Sequence, residues 1–234
     1  MPQDNRRPKF IAMDGVEGCG KTTQCGLLAK TLIASGRKVT LTREPGGTII
    51  GEKIRALLLD PGNEEMTPLV EALLFTAARA QLVAKVLVPK LRVADVIICD
   101  RWVSSTFAYQ GYGGPLPLKW IETLTSYATT FDLFRRPLTP DLVIILDLDP
   151  AVGFGRKGDD ALDRMEQKGL EYHQRVRQGF LEYAKWHPEF CKVVDATGTT
   201  NDPGKSKAEV HRRIIAAVNE KFEKFGWNIQ PVRK

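Results

Sequence analysis

Cysteine and histidine are scarce in this chain, and neither occurs in a pattern suited to a transition metal. Its four cysteines, Cys19, Cys25, Cys99 and Cys191, lack metal-ligand spacing and sit in apolar or Gly-rich stretches, so reduced thiols are expected rather than a disulfide framework. His173, His187 and His211 have no Cys or His at ligand spacing and receive no role. Also missing is any run near the roughly 18 uninterrupted apolar residues of a membrane span. The opening Met1–Pro8 leads into no apolar stretch of the kind that exports a chain. A cytoplasmic protein with no membrane partner is therefore expected. No repeat, linker or low-complexity tract divides the 234 residues, of which 43% are apolar, enough for one substantial core.

The positive excess is modest. Part of the net +6 sits near the ends, at Arg6, Arg7, Lys9, Arg233 and Lys234, and the basic stretch from Lys205 to Lys224 also carries Glu209, Glu220 and Glu223. That is no basic stripe for nucleic acid, and small polyanions are the expected ligands. Short apolar runs bounded by Gly, Pro or Asp lie at Phe10–Met13, Lys38–Leu41, Val96–Cys99, Leu142–Leu146 and Lys192–Val194, separated by amphipathic segments of helix length. The alternation predicts an α/β fold, with a central parallel five-stranded sheet flanked by helices. From Met66 to Ala94 the apolar residues keep a 3.6-residue period, and Pro89 predicts a break there between two helices. Pro45-Gly46-Gly47 reads as a turn, and the charge-dense stretch from Gly153 to Gly169 as a mobile lid. The expected organisation is a flexible segment over 1–8, one domain over 9–226 with its lid at about 153–169, and a tail over 227–234.

Gly15-Val16-Glu17-Gly18-Cys19-Gly20-Lys21-Thr22 satisfies G-x-x-x-x-G-K-[ST], and it lies between an apolar run and the helical pattern that begins at Thr23. Glycines let successive backbone N–H groups turn inward and form a nest for phosphate oxygens at the positive end of a helix. Lys21 adds a point charge for the β and γ phosphates, and the Thr22 hydroxyl is placed to hold Mg2+. These residues imply a P-loop fold that binds ATP or a similar nucleotide through positions 15–23, and they leave the acceptor open. Asp100, ending the run Val96–Cys99, is the candidate carboxylate for the metal, or else a cap for the next turn. Arg101 beside it can meet a phosphate bidentately or form a surface ion pair. Asp147 and Asp149 also follow an apolar run, but Asp149-Pro150 is a helix start, and that structural reading is preferred.

Several further segments together resemble the thymidylate kinase family. They are Thr42-Arg43-Glu44-Pro45-Gly46-Gly47-Thr48, Leu74-Phe75-Thr76-Ala77-Ala78-Arg79, Asp100-Arg101, Ser104 to Gln110, and Leu162-Asp163-Arg164-Met165-Glu166. The first is the most specific to that family, and the likeness runs from about Lys9 to the final helix. It implies a P-loop kinase that passes the γ-phosphate of Mg-ATP to dTMP, giving dTDP for dTTP synthesis, and a homodimer through helices around 48–59 and 66–83. By the same resemblance Phe75 stacks on thymine and Arg79 bonds the base edge, while Arg43 and Arg101 hold the acceptor phosphate. Asp14 accepts from the sugar 3′-hydroxyl. Ser104, Ser105, Tyr109 and Gln110 surround base and sugar, with Tyr109 crowding the 2′ position. Asp163 and Glu166 belong to a D-R-x-E lid motif, three apart on one helical face. With no arginine in the P-loop, Arg156 of the lid is expected to reach the transferring phosphate, and Arg164 is its competitor.

Plain structural roles stay open for several of these: core packing for Phe75, a helix-face ion pair for Arg79, a turn for Asp14, a cap for Ser105 and a solvated face for Asp163 and Glu166. A kinase for uridylate, adenylate or a nucleoside would share the scaffold. A P-loop switch protein is disfavoured because the chain lacks an N/T-K-x-D guanine-reading segment.

Overall fold

A computed structural model of the protein describes residues 7–131, 136–157, 162–198 and 203–231. The five apolar runs become strands β1 (Lys9–Gly15), β2 (Val39–Arg43), β3 (Val96–Asp100), β4 (Leu142–Asp147) and β5 (Cys191–Asp195), all parallel in the order β2-β3-β1-β4-β5. β1, β3 and β4 are buried almost throughout, which is why their sequences are continuous apolar runs and not alternating ones. The helices are α1 (Lys21–Ala34), α2 (Ile49–Leu59), α3 (Pro68–Leu82), α4 (Val88–Lys90), α5 (Val103–Thr106), α6 (Leu118–Thr129), α7 (Pro150–Lys157), α8 (Leu170–Trp186) and α9 (Pro203–Phe222). α1 and α9 pack together against the sheet, while α8 packs along α5 and its π-helical continuation Phe107–Gly113. Phe10 on β1 meets Trp102 edge to face at 5.0 Å, which joins the sheet to the start of α5.

The break expected at Pro89 does not occur. A π-helical turn over Val83–Leu87 carries α3 directly into α4, making one 23-residue helix from Pro68 to Lys90. In the wider turn the Val88 N–H reaches the Val83 carbonyl, five residues back, so Pro89 enters a ladder already offset and the helix continues through it to Lys90. By length and mean hydropathy, 1.4 over its most apolar stretch, this helix could cross a membrane. One side of it packs in the core, 39% of that stretch being buried. Glu71 and Arg79 are each 2% exposed and ion-paired to other segments, and Ala72, Ala78, Leu82 and Leu87 are fully buried.

Of the expected end segments, residues 1–6 and 232–234 lie outside the described residues. The packed region continues past the boundary placed at 226. Trp227 packs against Phe222 with tilted rings whose centroids are 4.6 Å apart, lies under the Arg37 guanidinium at 4.0 Å, and is followed by Ile229, whose N–H and carbonyl both bond the Asn219 side chain at 2.9 Å. Trp227→Ala should cost about 3 kcal/mol in urea unfolding. A loss below about 0.5 kcal/mol, the scale of a surface change, would show that the ring is peripheral.

Candidate active site

The site is built where the strands end. β1 stops at Gly15, which has φ 141°, and a Cβ there would overlap the Leu146 carbonyl oxygen, so only glycine can lead the chain into the loop. Gly20, at φ 93°, turns the loop into α1, whose first residue is Lys21. The Lys21 ammonium lies back over the loop, donating to the Val16 carbonyl at 2.8 Å, with the Cys19 sulfur 3.6 Å away. The Thr22 hydroxyl donates to Asp100 Oδ2 at 2.6 Å. Strand register brings these together: Asp100 is paired with Met13 of β1 on one side and Arg43 of β2 on the other.

Arg101, next along, is the one non-glycine residue with positive φ, 76°, among the described residues, a strained turn of the kind found where a side chain must be aimed. Its guanidinium is ion-paired with Glu17, donates to the Gly15 carbonyl at 3.1 Å and Ser105 Oγ at 3.3 Å, and lies 5.2 Å from the Tyr109 ring centre. Glu17 also accepts from the Tyr109 hydroxyl at 3.0 Å. Burial alone would raise the Glu17 pKa, but Arg101, Lys21 and the Tyr109 hydroxyl outweigh it and hold the carboxyl at about 2. Burial pushes the Tyr109 hydroxyl well above its usual value against the pull of Arg101, so it stays neutral.

One cavity of about 980 Å³ opens over these groups. Glu17, Gly18, Cys19, Gly20, Lys21, Thr22 and Thr23 line it on the P-loop side, with Asp100 and Arg101 beside them. Arg43, Phe75, Arg79, Ser105, Tyr109, Gln110, Asp163 and Glu166 line the rest, together with Arg156. Of the expected site residues, Asp14, Gly15, Val16 and Ser104 are not brought to the cavity. Asp14 is fully buried behind it, accepting from Ser104 Oγ and Ser105 Oγ at 2.5 Å each and from Trp102 N–H at 3.1 Å. Burial raises its pKa, with the two serines pulling the other way. Its contacts therefore brace Ser105 from behind.

Arg79 is at the cavity and ion-paired at once, though its partner is a buried residue of another segment and not one on its own helix face. The Arg79 Nε is 2.7 Å from Glu44 Oε2, and its two terminal nitrogens donate to Thr106 Oγ1 at 3.0 Å and the Trp102 carbonyl at 3.2 Å. Burial pushes Glu44 up to about 7 even beside Arg79, and its Oε1 has no bonding partner among the described residues. Phe75 is half-buried, packed on the core and lining the cavity at once. Arg43 pairs with Glu52 at 3.0 Å. Arg55 also lines the cavity, donating to the Pro45 carbonyl at 3.0 Å, and its pKa is lowered first by burial and then by the positive charge of Arg43 and Arg101. Arg43, Arg55 and Arg101 thus line one cavity, a lining suited to an anion. Nothing in the local pattern around Arg55 distinguished it from a solvated helix residue. Ala196, Gly198, Ser206, Lys207 and Val210, lining the far end, carried no motif either.

In the lid, residues 158–161 lie outside the described residues, including Gly158, Asp159 and Asp160. Arg156 is exposed at the cavity wall and donates to the Gly18 carbonyl at 3.5 Å and the Ala196 carbonyl at 3.3 Å. Arg164 is turned away from the cavity and buried, with its Nε on the Leu58 carbonyl at 2.8 Å and a terminal nitrogen 2.7 Å from Glu71. Asp163 and Glu166 do not share an α-helical face. Asp163 Oδ1 accepts from the Met165 and Glu166 N–H groups at 2.9 and 3.0 Å, and Glu166 returns the bond to the Asp163 N–H at 3.0 Å, capping a 3-10 turn over Glu166–Lys168. As read from sequence, Asp149 caps α7, accepting from Ala151 N–H at 2.8 Å, while Asp147 takes both arms of Arg177.

A P-loop at the ends of a parallel sheet, opening on a cavity lined by several arginines, defines a nucleotide-dependent phosphotransferase. A profile of the thymidylate kinase family matches residues 13–211. Thymidylate kinase of Deinococcus radiodurans is 44% identical over 215 residues, covering 91% of this chain and 97% of the relative. That of Symbiobacterium thermophilum is 40% identical over 217 residues, 93% and 97% respectively. The crystal structure of thymidylate kinase from Ehrlichia chaffeensis superposes with a TM-score of 0.71 at 34% identity, covering 90% of this chain and 98% of that one. The chain belongs to the thymidylate kinase family.

The lid root and the P-loop touch backbone to backbone. A Cβ on Gly153 would overlap the Glu17 carbonyl oxygen, and one on Gly18 would overlap the Gly153 carbonyl. Gly153→Ala should therefore displace the loop and lower kcat/KM for ATP by about tenfold or more in a coupled assay. Wild-type values would mean that the lid root yields at no cost.

Proposed function

We propose that this protein transfers the γ-phosphate of ATP to dTMP, giving ADP and dTDP. The observation that carries the reading is the single cavity, with the P-loop lysine on one wall and Arg43, Arg55, Arg101, Phe75 and Tyr109 on another. Lys21 and the loop N–H groups bind the donor phosphates, and the three arginines bind the acceptor phosphate. Phe75 and Tyr109 flank base and sugar, with Arg79 and Gln110 facing the base edge and the Asp14–Ser104–Ser105 cluster behind the sugar. The acceptor oxygen is already anionic, so no general base is required, and rate comes from positioning and from charge stabilisation. Thr22 and Asp100 fit Mg2+, being two hard oxygen donors side by side at the cavity wall, few enough for an ion that keeps waters and phosphate oxygens as its other ligands. When bound, the ion neutralises charge on the β and γ phosphate oxygens.

We further infer a homodimer. Ile49 (82% exposed), Leu57, Leu69 and Leu73 leave apolar surface on α2 and α3, two helices that pack on each other. The four free, buried thiols suit a cytoplasmic setting.

ADP release measured across dTMP, dUMP, UMP, CMP and AMP should give the highest kcat/KM with dTMP. A higher value with UMP or AMP would reduce the reading to a P-loop kinase of another acceptor. Arg156, lying between Gly18 and Ala196, is the arginine for the transferring group. Arg156→Ala should lower kcat by about 10³ with KM for dTMP near normal. A loss under about tenfold would remove Arg156 from the transition state.

A further inference from the structure

Glu71 is absent from every motif discussed above, yet its carboxylate ties three side chains from two other segments. It lies in the first turn of α3, 2% exposed, and each oxygen has a partner from another segment. Oε1 accepts from Gln110 Nε2 at 2.9 Å, and Oε2 is 2.7 Å from both Lys168 Nζ and an Arg164 terminal nitrogen. Burial pushes its pKa up, but Lys168, Gln110 and Arg164 prevail, so it is held ionised below the usual carboxylate range.

One of the three partners lines the acceptor space, and the other two belong to a segment that does. Gln110 lines it directly, beside Tyr109. Arg164 does not, but its neighbours Asp163 and Met165 do, together with Glu166. Phe75 follows Glu71 by one turn on α3. Arg164 is also tied by its own N–H to the Leu59 carbonyl at 3.1 Å, so the returning arm of the lid is anchored to the end of α2 as well.

We propose that Glu71 is a positioning residue for the acceptor: its carboxylate, bridging Gln110 to Arg164 and Lys168, holds the returning arm of the lid at a fixed distance from the helix that carries Phe75. A neutral amide of the same size keeps the Gln110 contact but loses both cations, and the arm is then free to drift. The inference rests on the acceptor lying between Phe75 and Tyr109.

The test is steady-state kinetics of Glu71→Gln, Lys168→Met and Phe75→Ala in the full chain, with dTMP and ATP varied separately. Glu71→Gln should raise KM for dTMP on the order of tenfold, with KM for ATP changed less than about twofold. Lys168→Met, at a side chain 28% exposed that cannot unfold the core, should raise KM for dTMP about threefold. It decides the matter if Glu71→Gln does not fold. Loss confined to kcat, or equal changes in both KM values, would make Glu71 a merely structural residue and overturn the proposal. If Phe75→Ala raises KM for dTMP and neither other variant does, the coupling fails alone. If none of the three does, the placement of the acceptor fails with it.

Discussion

Parallel pairing of β1 with β3 sets Met13 opposite Asp100, and from that one register the chemistry of the site follows. Two residues beyond Met13 the chain enters the P-loop, and one residue beyond Asp100 it turns through the positive φ of Arg101. The Thr22–Asp100 contact and the Glu17–Arg101 ion pair both cross between these two strand ends. A slip of one residue would turn every side chain of β3 to the opposite face of the sheet and separate both pairs. The buried apolar length of the two strands excludes such a slip, since it would exchange side chains already packed against helices on both faces.

The network is pre-charged as well as pre-shaped. Glu17 stays ionised because Arg101 and Lys21 face it, and Arg101 is aimed because Glu17, the Gly15 carbonyl and Ser105 hold it. Cationic groups held this way need little rearrangement when a phosphate arrives, which is the condition under which charge stabilisation speeds a reaction. The P-loop, which carries no arginine, thus carries an anion that orients one.

The strands were legible because a buried parallel strand writes itself as an uninterrupted apolar run. The P-loop was legible because backbone geometry demands glycine at fixed places. Arg156 and Arg164 show where that legibility ends. Both stand in one charge-dense segment, and only three-dimensional neighbours distinguish the exposed one beside Gly18 from the one sunk against Leu58 and Glu71. Glu71 and Arg55 were invisible for the same reason, and Glu44 stood in a motif without a role: their partners are set by packing, not by spacing along the chain. At Pro89 a local rule was overridden by a π-helical turn that no residue pattern announces.

The glycine seam between Gly18 and Gly153 makes the loop that grips the nucleotide and the helix that roots the lid a single mechanical part. Neither half can then be exchanged on its own. A lid grafted from a distant kinase would have to bring a glycine where its helix crosses the loop, and a transplanted P-loop would need its own glycine to receive it. In a lineage, both positions are held to glycine by backbone and not by each other's side chain, however freely the charged residues further out along the lid are rewritten.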